Sequence, residues 1–329
     1  HSTSRRQRQM CIRDRNKTTK PIIPIFFAAD NEYTPFLCVS IASLKEKASK
    51  EYNYQIYILN TGICNEYQMI LNQYNDVDFH IHYVDVTKKL DVISERLHTR
   101  DYYSKTTYYR LFIADLFPEY DKAIYLDSDI CVVDDISKFY NIEIGDNWVG
   151  AISDNAVNVT YEFVEYVDKV VGVPVPNYFN AGILILNLKK FREIKFLDLF
   201  ADLLGKVKFT VAQDQDYLNA LCVGHVHFIS KKWNRMPIPD PDFDESELGL
   251  IHYNLTLKPW HYSNILYSKY FWEAASKTPF YEYIQNILNT YSKEEIAKDQ
   301  EIEKHLRKLA LDESRMTDTY YTMFVKKKK

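Results

Sequence analysis

The chain alternates between short apolar runs and segments with helical spacing. Pro21-Ile22-Ile23-Pro24-Ile25-Phe26-Phe27-Ala28-Ala29 is apolar on both sides of any extended backbone and predicts a fully buried parallel strand. Leu37, Ile41, Leu44 and Ala48 follow at three- and four-residue intervals, the period of a helix. Gln55–Leu59 predicts a second strand, Asn65–Tyr74 a helix and Phe79–Val84 a third strand. Thr106–Phe117 predicts a helix ending before Pro118, and Lys122–Leu126 a buried strand running into Asp127-Ser128-Asp129. Further strands are expected at Val149–Ser153, Ala181–Leu188, His225–Ile229 and Leu250–Tyr253, with helices through 189–222 and 263–290. Mixed charges from Ser292 to about Arg307 predict an exposed helix. Strands and helices in this alternation define an α/β fold with a mixed, mostly parallel sheet flanked by helices. The expected division is a disordered leader or scar at 1–20, a mixed α/β domain at 21–290, and a helical appendage with a basic tail at 291–329.

Composition narrows the function. A chain of 329 residues with 46% apolar residues can bury a core without disulfide staples. Its five cysteines are scattered and form no CxxC pair, which argues against structural zinc and a secreted disulfide framework. No apolar run is long enough to span a bilayer, and residues 1–20 lack the apolar stretch of a secretory leader. The expectation is a cytoplasmic protein. Residues 1–20 carry seven Lys/Arg and one Asp, and 326–329 are all lysine, so the rest has a balance of −14. A body that acidic repels a nucleic-acid backbone, so no nucleic-acid partner is expected. The tail places Tyr320, Tyr321, Met323 and Phe324 before the lysines, a pattern suited to peripheral contact with an anionic membrane such as the inner face of the plasma membrane.

The candidate chemistry centres on Asp127 and Asp129. An apolar strand delivers them to its carboxyl end, where open α/β sheets bind ligands, and residues i and i+2 of an extended chain point the same way. Two such carboxylates resist joint ionisation unless a cation lies between them, which suits Mn²⁺ or Mg²⁺. A solvated acidic turn would look the same. So would the nucleophile loop of a haloacid-dehalogenase-like phosphatase, although that loop is expected nearer the start of its domain. The turn Ala29-Asp30-Asn31-Glu32 has no glycine and is not a dinucleotide-type phosphate cradle. Small Ala28 and Ala29 admit a flat base, and Asp30 can accept hydrogen bonds from it.

Six motifs stand in order over about 240 residues: Phe27-Ala28-Ala29-Asp30, Thr106-Thr107-Tyr108-Tyr109-Arg110, Tyr125-Leu126-Asp127-Ser128-Asp129, Phe179-Asn180-Ala181-Gly182, Gln213-Asp214-Gln215-Asp216, and His252-Tyr253 with Lys258-Pro259-Trp260. Together they resemble the glycosyltransferases of family 8, which include bacterial lipooligosaccharide galactosyltransferases and glycogenin. The resemblance implies a GT-A type nucleotide-sugar-binding fold. It also implies retaining transfer of galactose or glucose from a UDP-hexose to a glycan or glycolipid hydroxyl, as in cell-surface glycan synthesis. It assigns Asp127, Asp129 and His252 to Mn²⁺, with Mg²⁺ as the other candidate. Ala28, Asp30 and Glu32 fall at nucleoside contacts. Arg110, Ser128, Asn180, Ala181, Asp214 and Gln215 fall at the donor sugar and diphosphate, and Lys258 at the leaving phosphate. Asp214 and Gln215 lie at the reacting centre, and Asp154 is a candidate on the acceptor side. Leu255 stands where relatives carry Gly, which would change the loop facing the phosphates. A catalytically silent UDP-sugar-binding protein is the non-enzyme alternative.

Overall fold

A computed structural model of the protein describes residues 20–88 and 105–326. The leader predicted at 1–20, apart from Lys20, and the last three lysines of the tail lie outside these residues. The strands are β1 (Ile22–Ala28), β2 (Asn53–Asn60), β3 (Phe79–Asp85), β4 (Lys122–Leu126), β5 (Ile130–Val132), β6 (Val149–Ser153), β7 (Phe179–Asn187), β8 (Val226–Phe228) and β9 (Leu250–His252). Seven form one sheet in the order β3-β2-β1-β4-β7-β6-β8, and β5 pairs with β9 in a second, two-stranded sheet. The β3-β2-β1-β4 side is parallel, while β7 runs antiparallel to β4 and β6.

The apolar runs read as they do because both faces of the large sheet are covered. In β1, Ile23, Ile25 and Phe27 enter one core cluster, while Phe26 enters another on the opposite face. In β4, Ile124 and Leu126 take the first face, and Ala123 and Tyr125 the second. The helix Thr34–Lys47 is buried at every position from Thr34 to Leu44. Its Ser40 hydroxyl lies 2.8 Å from both the Ser128 and Ile130 carbonyls, and Ser43 Oγ accepts from the Val132 amide at 3.0 Å. Two serines inside an apolar helix thus join it to the chain leaving β4.

Three expectations need correction. The 106–117 segment is not one α-helix: a 3₁₀ turn spans Lys105–Phe112 and only Ile113–Leu116 is α-helical. Arg110 Nε donates to the Thr107 carbonyl at 2.8 Å, an acceptor that a regular α-helix would give to residue 111. The 189–222 stretch breaks into helices Leu188–Glu193, Phe196–Leu204 and Asp214–Leu221, with a loop through 205–213. The C-terminal helix extends over Lys293–Ser314, opened by a Ser292–Glu295 capping box. It is not exposed throughout. Leu306 and Ala310, one turn apart, are buried, and Asp299 accepts 2.7 Å bonds from the Tyr262 and Tyr291 hydroxyls. Beyond it Tyr320 is half-buried against Phe209 and Phe324, so this part of the aromatic tail packs on the protein. Among the described residues no helix is long and apolar enough to cross a membrane.

Candidate functional site

β1 and β4 are adjacent and parallel, so the turns after them meet at one edge of the sheet. The Ser128 hydroxyl donates to the Ala28 carbonyl at 2.8 Å and ties the two turns together. The Asp127 amide donates to the Gly182 carbonyl at 2.7 Å, placing β7 beneath the carboxylates. The short β5–β9 ladder supplies the third ligand. Ile130 pairs with His252, and the Tyr253 amide donates to the Asp129 carbonyl at 2.9 Å. His252 Nε2 therefore lies 3.3 Å from Asp129 Oδ1 and 3.7 Å from Asp127 Oδ2.

Ligand atoms of Asp127, Asp129 and His252 all fall within 4.8 Å of one another. Asp129 Oδ1 is buried and makes no hydrogen bond. Gly182 makes the arrangement possible, because a Cβ there would fall 2.5 Å from both Asp127 Oδ2 and His252 Cε1. Two carboxylates and an imidazole, with one oxygen lacking any donor, fit a divalent cation of the Mn²⁺ type. Lys258 is buried beside them and pairs with Asp129 Oδ2. Burial alone would push the Asp129 carboxyl up, but the buried Lys258 ammonium against it holds it well below the usual carboxylate range. Burial likewise opposes the Lys258 charge, and Asp129 outweighs it, so the ammonium titrates above its ordinary value.

The facing wall is built around Arg110, which is buried. Its guanidinium contacts Asp127 Oδ1 at 3.2 Å and Asp214 Oδ2 at 3.1 Å, lies 4.3 Å from the Tyr125 ring centre, and donates to the Ala181 carbonyl. The Tyr125 hydroxyl also donates to Asp127 Oδ1, at 2.9 Å. Burial pushes the Asp214 carboxyl up to about 6 despite Arg110. Gln215 Oε1 accepts from the Ala181 amide at 2.9 Å, and its Nε2 donates to Asp154 Oδ2 at 3.0 Å. Asp154 Oδ2 also accepts from Asn180 Nδ2 at 3.1 Å, while Oδ1 caps the helix Asn155–Asn158. Gln213, just before this pair, holds φ +47°, a left-handed strain at the entry to the helix.

At the β1 end, Asp30 Oδ1 accepts from the Tyr33 amide at 2.9 Å, so it braces the turn leading into the helix Thr34–Lys47 as well as lining the cavity. Leu255 has φ +50°, the conformation that favours glycine. Trp260 is buried with its ring stacked 3.9 Å from Phe36, and so packs the core rather than offering a platform.

All the sequence-predicted residues line one cavity of about 440 Å³: Ala28, Asp30, Glu32, Arg110, Asp127, Ser128, Asp129, Asp154, Asn180, Ala181, Asp214, Gln215, His252, Leu255 and Lys258. Sequence reasoning assigned no part in the site to Gly182, Asn234 or Leu306. Gly182 ends the motif Phe179-Asn180-Ala181-Gly182, where an obligate small residue was the available signal. Asn234 and Leu306 carried none. Phe163, Val167, Val211 and Leu306 add apolar side chains to the cavity lining, and Leu306 comes from the C-terminal helix.

A mixed sheet with a carboxylate pair beside its parallel half, a histidine crossing from a small second sheet, and a buried lysine define a nucleotide-sugar-binding fold of the GT-A type. The chain belongs to glycosyl transferase family 8, whose profile matches residues 24–264. It is 32% identical over 215 residues to a Haemophilus influenzae protein classed as a glycosyltransferase, covering 65% of this chain and 63% of that protein. It is 25% identical over 276 residues to the lipopolysaccharide 1,2-glucosyltransferase of Escherichia coli, covering 78% of each. Among solved structures, the galactosyltransferase LgtC with donor and acceptor sugar analogues superimposes with a TM-score of 0.64 at 27% identity, covering 78% of this chain and 96% of that one. The bifunctional glycosyltransferase WbbM gives a TM-score of 0.71 at 24% identity, a likeness of fold, and this chain spans about half (53%) of its length.

Proposed function

We propose that the protein transfers galactose or glucose from a UDP-hexose to a hydroxyl of a glycan or glycolipid, with retention at the anomeric carbon and dependence on Mn²⁺. The observation that carries this reading is the convergence of Asp127, Asp129 and His252, with Lys258 against Asp129, in a cavity whose other wall presents Asp154, Asn180 and Gln215. Asp127, Asp129 and His252 would hold the cation, which supplies Lewis-acid stabilisation of the leaving diphosphate. Lys258 adds a second positive charge at the same place. Arg110 pairs with both Asp127 and Asp214, and the Asp154–Gln215–Asn180 bonds hold polar groups ready for sugar hydroxyls. Asp214 is engaged by Arg110 and largely shielded from solvent, which suits a positioning role better than a nucleophile. The acceptor hydroxyl then enters on the face the phosphate leaves, and the departing phosphate oxygen takes its proton.

The test is UDP and Mn²⁺ binding by calorimetry, followed by UDP release from UDP-galactose and UDP-glucose with glycan acceptors. Metal-dependent binding and turnover on an acceptor are expected. Metal-dependent binding without turnover on any acceptor would refute transfer in favour of a silent binding protein, and phosphate-ester hydrolysis would favour an Asp127 phosphatase. A glycosylated Asp214 trapped by mass spectrometry would overturn same-face entry.

A further inference from the structure

The hydrogen bonds behind His252 have only one consistent direction. The Gly182 backbone N–H, which can only donate, gives its proton to Asn180 Oδ1 at 3.0 Å. Asn180 Nδ2 then donates to Asp154 Oδ2 at 3.1 Å. The Asn180 amide is thus oriented from both ends, by a backbone donor and a carboxylate. Asn234, itself buried, lies with its Nδ2 3.0 Å from the same Asn180 oxygen and must donate there. Its Oδ1 is left to face His252 Nδ1 at 3.1 Å, and because an amide oxygen only accepts, Nδ1 must carry the proton. The remaining ring nitrogen, Nε2, points at Asp129 Oδ1, the buried oxygen without a hydrogen bond.

We infer that Asn234 is a positioning residue that holds His252 in its Nδ1–H tautomer, so that Nε2 presents a lone pair to the carboxylate pair. In the other tautomer, Nε2–H would donate to Asp129 Oδ1, satisfying that oxygen but removing a ligand from the cation site. Asn234 Oδ1 would then face a bare Nδ1. The same relay runs through Asn180 to Asp154 and Gln215, so the sugar-side wall and the metal-side wall share one oriented chain. No sequence motif marks Asn234. The metal arm of the inference rests on the Mn²⁺ reading above, and the tautomer arm does not.

The test compares the wild type with Asn234→Leu, which keeps similar bulk without an acceptor, and Asn234→Asp, which keeps the acceptor. Nitrogen-15 NMR of labelled imidazoles, with His252→Asn to assign the signal, reports the tautomer of the metal-free protein. Mn²⁺ titration followed by electron paramagnetic resonance reports affinity without turnover. Expected are a protonated Nδ1 and bare Nε2 in the wild type and Asn234→Asp, and loss of that preference in Asn234→Leu. Mn²⁺ binding should weaken about ten- to hundredfold in Asn234→Leu and stay within a few-fold in Asn234→Asp, the scale found for groups that orient a ligating histidine. A wild-type His252 whose neutral ring carries its proton on Nε2 rather than Nδ1 would overturn the inference, whatever the variants do. So would Asn234→Leu with unchanged tautomer and unchanged Mn²⁺ affinity. A wild type with the expected tautomer but no Mn²⁺ binding would sink the metal reading and leave the tautomer assignment standing.

Discussion

Gly182→Ala is the most direct perturbation of the site. Position 182 lies in β7, where alanine is compatible with the backbone, so the cost comes from the added methyl group alone. That group would sit 2.5 Å from Asp127 Oδ2 and from His252 Cε1, and 3.1 Å from Asn180 Oδ1. Both of the nearer groups must retreat by about 0.5 Å or more to reach even a tight contact, and neither is a freely moving chain end. Asp127 is held by Arg110 and Tyr125, and His252 by Asn234. Overpacking of this kind costs about 1–3 kcal/mol. If that cost falls on the geometry of the cation site, Mn²⁺ affinity drops roughly 5- to 150-fold. Calorimetric titration of Mn²⁺ into the wild type, Gly182→Ala and Gly205→Ala measures it. Gly205 is the control, because its added Cβ meets only ordinary contacts at 3.5 and 3.6 Å. Gly182→Ala should bind weakly and the control normally. Wild-type Mn²⁺ affinity in Gly182→Ala would refute the claim that Asp127 and His252 act as one closely spaced ligand set.

Other outcomes can be checked alongside. Replacing Arg110 by Met leaves the buried Asp214 without its cation, and should lower stability by about 3–5 kcal/mol in denaturant melts; a change below about 1 kcal/mol would show that the pair is not needed. Burial pushes the Asp216 carboxyl up to about 6, although Tyr178, Tyr166 and the Ala212 amide all donate to it. The folded chain then holds this proton more tightly than the unfolded chain, so its stabilising effect is full below about pH 4 and is lost as pH rises to about 6, up to about 3 kcal/mol. Asp216→Asn should flatten that part of the stability–pH curve, and an unchanged slope would count against the shift. Leu255→Gly removes a left-handed leucine that costs about 1 kcal/mol, so melting temperature should hold or rise; a fall of several degrees would mean the leucine side chain contributes more than its backbone costs.

The strands of the central sheet were legible in the sequence because burial on two faces demands unbroken apolar runs, and β1, β4 and β7 have them. The DxD pair was legible as well, since its spacing and its place after a buried strand both follow from local geometry. Helix type was less so: the Lys105–Phe112 turn depends on Arg110 folding back to the Thr107 carbonyl, a choice made by its partners Asp127 and Asp214 rather than by local propensity. The C-terminal helix looked exposed because its stripe is sparse, and only contact with the rest of the fold buries Leu306 and Ala310.

What the sequence determined by itself was an α/β chain bearing two carboxylates at a strand end, with the other polar residues of the cavity in recognisable order. Tertiary structure decided which groups meet them. His252 lies more than a hundred residues from Asp129, and joins it only through the short β5–β9 ladder. Gly182 is small because three side chains converge on it, and Asn234 counts only because the Asn180 amide is oriented first. These are properties of distances between segments, which no local pattern of residues records.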